Sequence, residues 1–489
     1  MTATSEAVQA GLAFAAQLAS YITDLRYEDL PAETVTAAKG ALLDELGIML
    51  MGSTLPWTVP VRRVAEQTGR SGDCTIIGWG DQLSALDAAV VNANYAHSCE
   101  LDDSGYSGGA HSGALSVPVS LAFSEDGGRS GRDLLLAVVV GYEVLYRIGR
   151  VLSRPAVELG FHHQGVVGPF GVTAVASKLL GLSPGQVAHA LSIAGSHSSG
   201  TMEYDQAGGE VKRYHNAMAT RAGILAAYLA REGLTGPPTI LEGRRGVVRM
   251  FGRVEDPSYI VDGLEDRSWF AVQGRTAKIF PTVGTIPTSI QALAAIMAGH
   301  SFAPGDVARI DVWVQPNALL HGASITEPTD TISAQFSMAF SLGLRLVRGA
   351  NDLRDYMNPE LWTDPDILRI GKLLHVHGDP SYGQKDDPAS GGTSINWQTV
   401  NGARVRVELT DGRVLEAEEP YRKGSKWNPI TADELEAKFR GLASAVLTED
   451  QQDRVIEAVA SLENSENVAT ALVPLLVRRA GAAPAAGGQ

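Results

Sequence analysis

Cysteine is almost absent from this 489-residue chain, which holds only Cys74 and Cys99. Two thiols build no disulfide framework, and these lack the spacing of a zinc or iron–sulfur site. A reducing compartment is implied, so the expected location is the cytoplasm. Long apolar runs are missing too. The most apolar stretch, residues 134–140, is closed off by Asp133 and Glu143, far short of the ~20 residues that span a bilayer, so no membrane partner is expected. Basic charge is in deficit, with 40 Lys plus Arg against 55 Asp plus Glu and a net charge of −15. General binding to a phosphate backbone needs the opposite balance, and nucleic acid is not an expected partner. No Lys or Arg precedes Arg26, so the N-terminal stretch reads as a first amphipathic helix rather than a secretory signal. Also lacking are a strand-borne G-x-G-x-x-G, a G-x-x-x-x-G-K-[ST] loop and an H-E-x-x-H pair. One G-x-S-x-G occurs at residues 105–109. It lies in a loop after a helix, not at a strand-to-helix elbow, and reads as a product of local Gly/Ser richness.

What is present is ordinary globular composition, 44% hydrophobic and 19% charged, with length for roughly two to four domains. Apolar residues recur at three- and four-residue spacing over 34–51, 84–96, 115–125, 133–150, 171–180 and 210–232, predicting helices. GLSPGQ, after residue 180, reads as one helix stop and the next start. After Trp269 the texture changes. Residues 309–315 alternate as a half-buried strand, and 403–417 predict a hairpin with positive φ angles at Asp411 and Gly412. Helices are predicted at 288–297 and 333–346, a long polar loop at 377–402, and further helix starts at Thr431 and Thr448. The fold class expected is mainly α: a large all-helical domain with an inserted smaller α+β domain.

Five regions place titratable groups beside small residues. In the first, Asp102 or Asp103 and His111 share one short loop and form a candidate acid–base pair. The plainer alternative is a helix end followed by a helix start. His162 and His163 stand before a helix whose N-terminal dipole favours neutral imidazole, suited to a general base. Lys212 and His215 share a helix face, with Lys212 an anchor for a carboxylate; further along, Ala219, Ala222 and Gly223 permit close packing. Arg275 and Lys278 add two cations where the second domain begins. His97 and Cys99, two residues apart, would diverge on a helix and read as structural. No metal cluster is apparent, so neither metal nor cofactor is expected, and the parts suit proton transfer beside a substrate anion.

Four ordered stretches together resemble the MmgE/PrpD family: Glu100-Leu101-Asp102-Asp103 with His111-Ser112-Gly113; Gly160-Phe161-His162 with GVVGPFGVTAVASKLLGLSP; Gly208-Gly209 with Val211, Lys212 and His215, running into GLTGPPTILEGRRG; and Lys278-Ile279-Phe280-Pro281. The resemblance implies a helical domain from residues 1–271 and 421–489 around an α+β lid at 272–420. It also implies a homodimer and a metal-independent site between the two domains. Carried over, Asp102 or Asp103, His111, His162 and Lys212 match catalytic and substrate-binding positions, and His215 matches a recurrent motif position. The expected catalytic set is therefore Asp102, Asp103, His111, His162 and Lys212, and His163, His215, Arg275 and Lys278 are expected to bind substrate. The implied activity is a lyase reaction, decarboxylation or dehydration, on a small di- or tricarboxylate. An epimerase or isomerase on the same site, or a non-catalytic dimeric anion-binding protein, are the alternatives.

Overall fold

The computed structural model describes residues 13–105, 110–204, 209–254, 256–386, 397–399 and 401–478. Residues 106–109 of the G-x-S-x-G match, Gly208, and residues 387–396 and 400 of the predicted 377–402 loop therefore lie outside the described residues, as do 1–12 of the N-terminal segment and 479–489.

Among the described residues, nine helices in chain order build the first layer of the molecule: α1 (Phe14–Asp24), α2 (Ala32–Gly52), α3 (Val59–Thr68), α4 (Ala85–Ala96), α5 (Ser112–Asp126), α6 (Gly131–Glu158), α7 (His163–Leu180), α8 (Pro184–Gly195) and α9 (Val211–Arg231). Local chemistry sets their ends. Ser130 and Asp133 form a reciprocal cap, so α6 starts before the apolar periodicity does. Gly181 adopts φ 64° to end α7, and Ser183 caps α8, the stop and start that GLSPGQ predicts. Small residues let the helices approach. A side chain at Gly223 of α9 would come within 2.6 Å of the Pro169 carbonyl of α7, and one at Gly168 would meet Ala219 at 2.8 Å. The domain is not all-helical. Cys74–Thr75 (β1) and Gln82–Leu83 (β2) pair antiparallel, too short a ribbon to show a period.

The second layer begins after residue 280. Among the described residues, its helices longer than one turn are α10 (Pro287–Gly299), α11 (Thr331–Gln335), α12 (Met338–Arg348) and α13 (Pro365–Lys372). The predicted helix at 333–346 is in fact two, because Ser337 caps a new start by accepting from the Phe340 N–H. The sheet orders as β4-β3-β7-β8, with β3 (Val307–Val314) parallel to β4 (Leu374–Gly378) and antiparallel to β7 (Ala403–Leu409), which pairs with β8 (Val414–Glu419). Ala403, Val405, Val407 and Leu409 alternate inward, and form one core with Ile290, Leu293 and Ile296 of α10. Only Gly412 takes positive φ, at 84°. The four-residue connection accommodates a turn that ends on one left-handed glycine, so Asp411 is spared. The predicted 377–402 loop carries a further ribbon, β5 (Gln384–Asp386) with β6 (Trp397–Thr399).

The closing helices α14 (Ala432–Ala443) and α15 (Glu449–Ala460) start on reciprocal caps at Thr431 and Thr448. Their Phe439, Ala443, Val455 and Val459 join the core of the first domain. The chain thus leaves the helical layer, builds the α+β layer and returns.

Candidate active site

Four helix ends converge on one cavity of about 700 Å³, whose walls come from both domains. Helix α4 runs out at His97; α5 begins with His111 at its N-cap, and α7 with His162 at its own. Near the start of α9 lies Lys212. A polar staple holds these ends together. Asn216 donates to the carbonyls of Ala93 and Ala114, both at 2.7 Å, and accepts from Gln164 Nε2 at 2.6 Å. Gln164 in turn accepts from the His111 N–H at 2.9 Å. The loop between α4 and α5 also bends through Glu100, which adopts φ 56°, an uncommon conformation for a side-chain-bearing residue.

Asp102 is the centre of the acid–base group. Its Oδ2 lies 2.6 Å from His97 Nδ1 and 3.1 Å from His111 Nδ1. Burial would raise this carboxyl, but His111, His97 and Lys278 outweigh it and hold it well below the usual range. His111 Nδ1 also faces the Asp103 carbonyl at 2.7 Å. With acceptors on that side, Nδ1 carries a hydrogen and Nε2 is the ring nitrogen left for other contacts. The neighbouring rings stay neutral. Burial brings His97 to about 3 despite Asp102, and pushes His163 to about 3, helped by His111. It likewise lowers His162 strongly, with His163 adding to the effect. His162 Nδ1 meets His215 Nδ1 at 3.1 Å, and His215 lines a second cavity of about 380 Å³ on the far side of that pair.

Cations form the other wall. Lys212 is in direct contact with Glu100, and Lys278 Nζ reaches the other oxygen of Glu100 at 3.3 Å and Asp102 at 4.0 Å. Both ammonium groups are pushed down, first by burial and then, for Lys212, by Lys278 and Arg213. Arg422 enters from the segment that leaves the sheet, donating to the Gly284 carbonyl at 3.3 Å and to Ser104 Oγ at 2.7 Å.

The structure thus gathers Asp102, His111, His162, His163, Lys212 and Lys278 in one place, with all but Asp102 lining the main cavity. Three predicted residues, Asp103, Arg275 and His215, do not line the main cavity. Asp103 is turned away: it accepts from the Tyr142 hydroxyl and from the Gly113 N–H at 3.0 Å, and burial pushes its carboxyl up against the pull of Arg275. It anchors the loop from beneath. Arg275 pairs with Asp44 at 3.0 Å in the same buried layer and does not line the cavity. His215 supports His162 rather than facing the main cavity. His97, read as structural from its distance to Cys99, is a direct partner of Asp102, while the Cys99 thiol is buried and pushed up by that burial. Gln164, Asn216 and Arg422 carried no signal of their own in the sequence, and Glu100 stood there only as part of a motif.

Among the described residues, His97, Asp102 and His111 are the one group whose ligand atoms all lie within 4.8 Å of one another. The sequence showed no metal cluster because positions 97, 102 and 111 match no familiar ligand spacing. Two imidazoles and a carboxylate are a donor set that transition metals accept. Here the carboxylate is shared among two imidazoles and the nearby Lys278 ammonium.

A helical domain with an inserted α+β layer, and a histidine–aspartate–lysine cavity between them, define a class of protein before any comparison is made. The chain belongs to the MmgE/PrpD family: the family's N-terminal domain matches residues 16–260 and its C-terminal domain residues 280–464. Similar proteins include a cis-aconitate decarboxylase-like protein of Aspergillus oryzae, 30% identical over 94% of this chain and 96% of that one. A cis-aconitate decarboxylase of Aspergillus terreus is 27% identical over 97% and 98% of the two chains. One of Homo sapiens is 28% identical over 92% of each.

Proposed function

We propose that this protein is a lyase that releases CO₂ from a small di- or tricarboxylate by proton transfer between its own side chains and the substrate. One observation carries the reading: a single cavity brings the Asp102-held imidazole of His111 beside the buried cations Lys212, Lys278 and Arg422. The names of the similar fungal and human proteins favour decarboxylation over dehydration and make cis-aconitate the first substrate to try.

When a carboxylate leaves as CO₂, the broken C–C bond leaves its electron pair on the neighbouring carbon. A double bond next to that carbon spreads the charge toward a remaining carboxylate, and a proton must then quench it. His111 is the proton carrier. Its Nδ1–H is held by Asp102 and the Asp103 carbonyl, so Nε2 is the nitrogen left for the substrate. The ionised Asp102 stabilises the ring while it is an imidazolium; the ring passes one proton to carbon and regains one from water. Lys212 and Lys278 stabilise the charge that grows on the retained carboxylate, where low dielectric strengthens them. Neutral His162 and His163 contribute hydrogen-bonding groups without adding positive charge.

The test is CO₂ release from cis-aconitate, citrate and 2-methylcitrate by the purified protein. Asp102→Asn and His111→Ala are expected to lower kcat by about 10²–10⁴-fold, the range for a lost acid–base group. Their melting temperatures should stay near wild type, and dialysis against a chelator should leave turnover unchanged. Full turnover in His111→Ala would remove this ring from the chemistry, and loss of water instead of CO₂ would make the reaction a dehydration.

A further inference from the structure

We propose that Arg422 is an anchor for a second substrate carboxylate, which makes the preferred ligand an acid with carboxylates at two separated positions. The inference rests on the reading of the cavity as a carboxylate site and specifies how the ligand is held there. Among the described residues, Lys212 and Lys278 already face anionic partners, Glu100 and Asp102. Arg422 is different. It is 8% exposed, yet its two hydrogen bonds go to neutral groups, the Gly284 carbonyl and Ser104 Oγ. Among the described residues no carboxylate lies within ion-pair distance of it. Burial alone pulls its guanidinium down to about 10, so it stays charged at neutral pH.

A buried cation without a counter-ion is costly in an empty site, and folding gains nothing from keeping it. Ionisable groups are kept in such positions where a ligand completes them. Arg422 lines the main cavity, and a guanidinium offers five donors in a flat fork that fits a carboxylate with two parallel hydrogen bonds. Two of its nitrogens are steadied by neutral partners, which fixes the fork without neutralising it. A side chain at Gly284 would come within 2.8 Å of Nη1, so the glycine leaves the room that the guanidinium occupies. Through Ser104, Arg422 also touches the loop that carries Asp102. A carboxylate anchored there is held at the junction of the helical domain and the α+β layer.

Calorimetric titration with propane-1,2,3-tricarboxylate tests this, since that acid lacks the double bond the reaction needs. Glutarate, with one carboxylate fewer, and propionate, with a single one, serve as comparisons. Wild type is expected to bind the tricarboxylate most tightly. Arg422→Gln should weaken it by about 10–100-fold, the worth of a charge-assisted hydrogen-bonded pair, and leave propionate affinity within about twofold, the scatter that non-additive effects bring. Arg422→Lys should restore only part of the loss, because an ammonium lacks the fork. The ligand-free Arg422→Gln protein should melt at or above the wild-type temperature, as removing an uncompensated buried charge relieves strain on the fold. Equal tricarboxylate affinity in Arg422→Gln, or a ligand-free protein that melts lower, would overturn the proposal and make Arg422 a latch between domains. Absence of binding by wild type would instead overturn the carboxylate reading of the cavity itself.

Discussion

Asp102 and Asp103 are neighbours in the chain, and their carboxyls meet opposite surroundings. Asp102 faces two imidazoles and a lysine, which favour its ionised form; Asp103 faces a tyrosine hydroxyl and a backbone N–H in a layer where burial favours its neutral form. The same rule governs the histidines. His97 stays neutral in the fold down to about 3, whereas a histidine in the unfolded chain gains its proton near 6.5. Between those values the unfolded state binds more protons, so the stability that depends on a neutral His97 is complete above about 6.5 and is lost as pH falls toward 3. His97→Gln has no such proton to exclude. Relative to wild type it is expected to gain about 2 kcal/mol on going from pH 7 to pH 5, whatever the offset at pH 7. Denaturation curves at the two pH values measure this. A constant gap would mean that His97 titrates normally in the fold.

Elements position these residues through their ends rather than their faces. Helices α4, α5, α7 and α9 bring His97, His111, His162 and Lys212 together, and Asn216 with Gln164 fastens the four ends. In Asn216→Ala, two buried carbonyls and one amide lose their partner. Each unsatisfied group costs about 1–3 kcal/mol, so a loss of roughly 3 kcal/mol or more is expected in urea denaturation, with turnover reduced as well. A loss below about 1 kcal/mol would show that the staple is dispensable.

The helices themselves were legible because their apolar spacing, caps and glycines act within a few residues. So was the β7–β8 hairpin. The parallel strand β4 was not, since a short strand at the sheet edge with few buried side chains has no pattern to show. At the site, Asp102, His111, His162, Lys212 and Lys278 stood out through residue type, local context and the order of their motifs. Arg422 sits in the run Tyr421-Arg422-Lys423, which reads as solvated charge; only the fold removes its water. That Asp103 and Arg275 lie off the main cavity was hidden for a related reason, because the direction of a side chain on an irregular loop is set by packing that no spacing records.

At the scale of the whole molecule, the division of labour runs across the domain boundary. The helical domain supplies His111, His162, His163 and Lys212, with Asp102 behind His111. The α+β layer and the segment that leaves it supply His321, Asn401 and Arg422 to the same cavity. Neither part holds the complete cavity. No helix among the described residues is long and apolar enough to cross a membrane. The central claim is that this cavity removes CO₂ from a small polycarboxylate and protonates the carbon left behind. Proton NMR of the purified protein with cis-aconitate, citrate and 2-methylcitrate in D₂O tests it most directly. The expected result is a product one carbon smaller, with one deuterium introduced on decarboxylation, and no such product from His111→Ala. Deuterium appearing in unchanged substrate, or silence across all three acids, would contradict it.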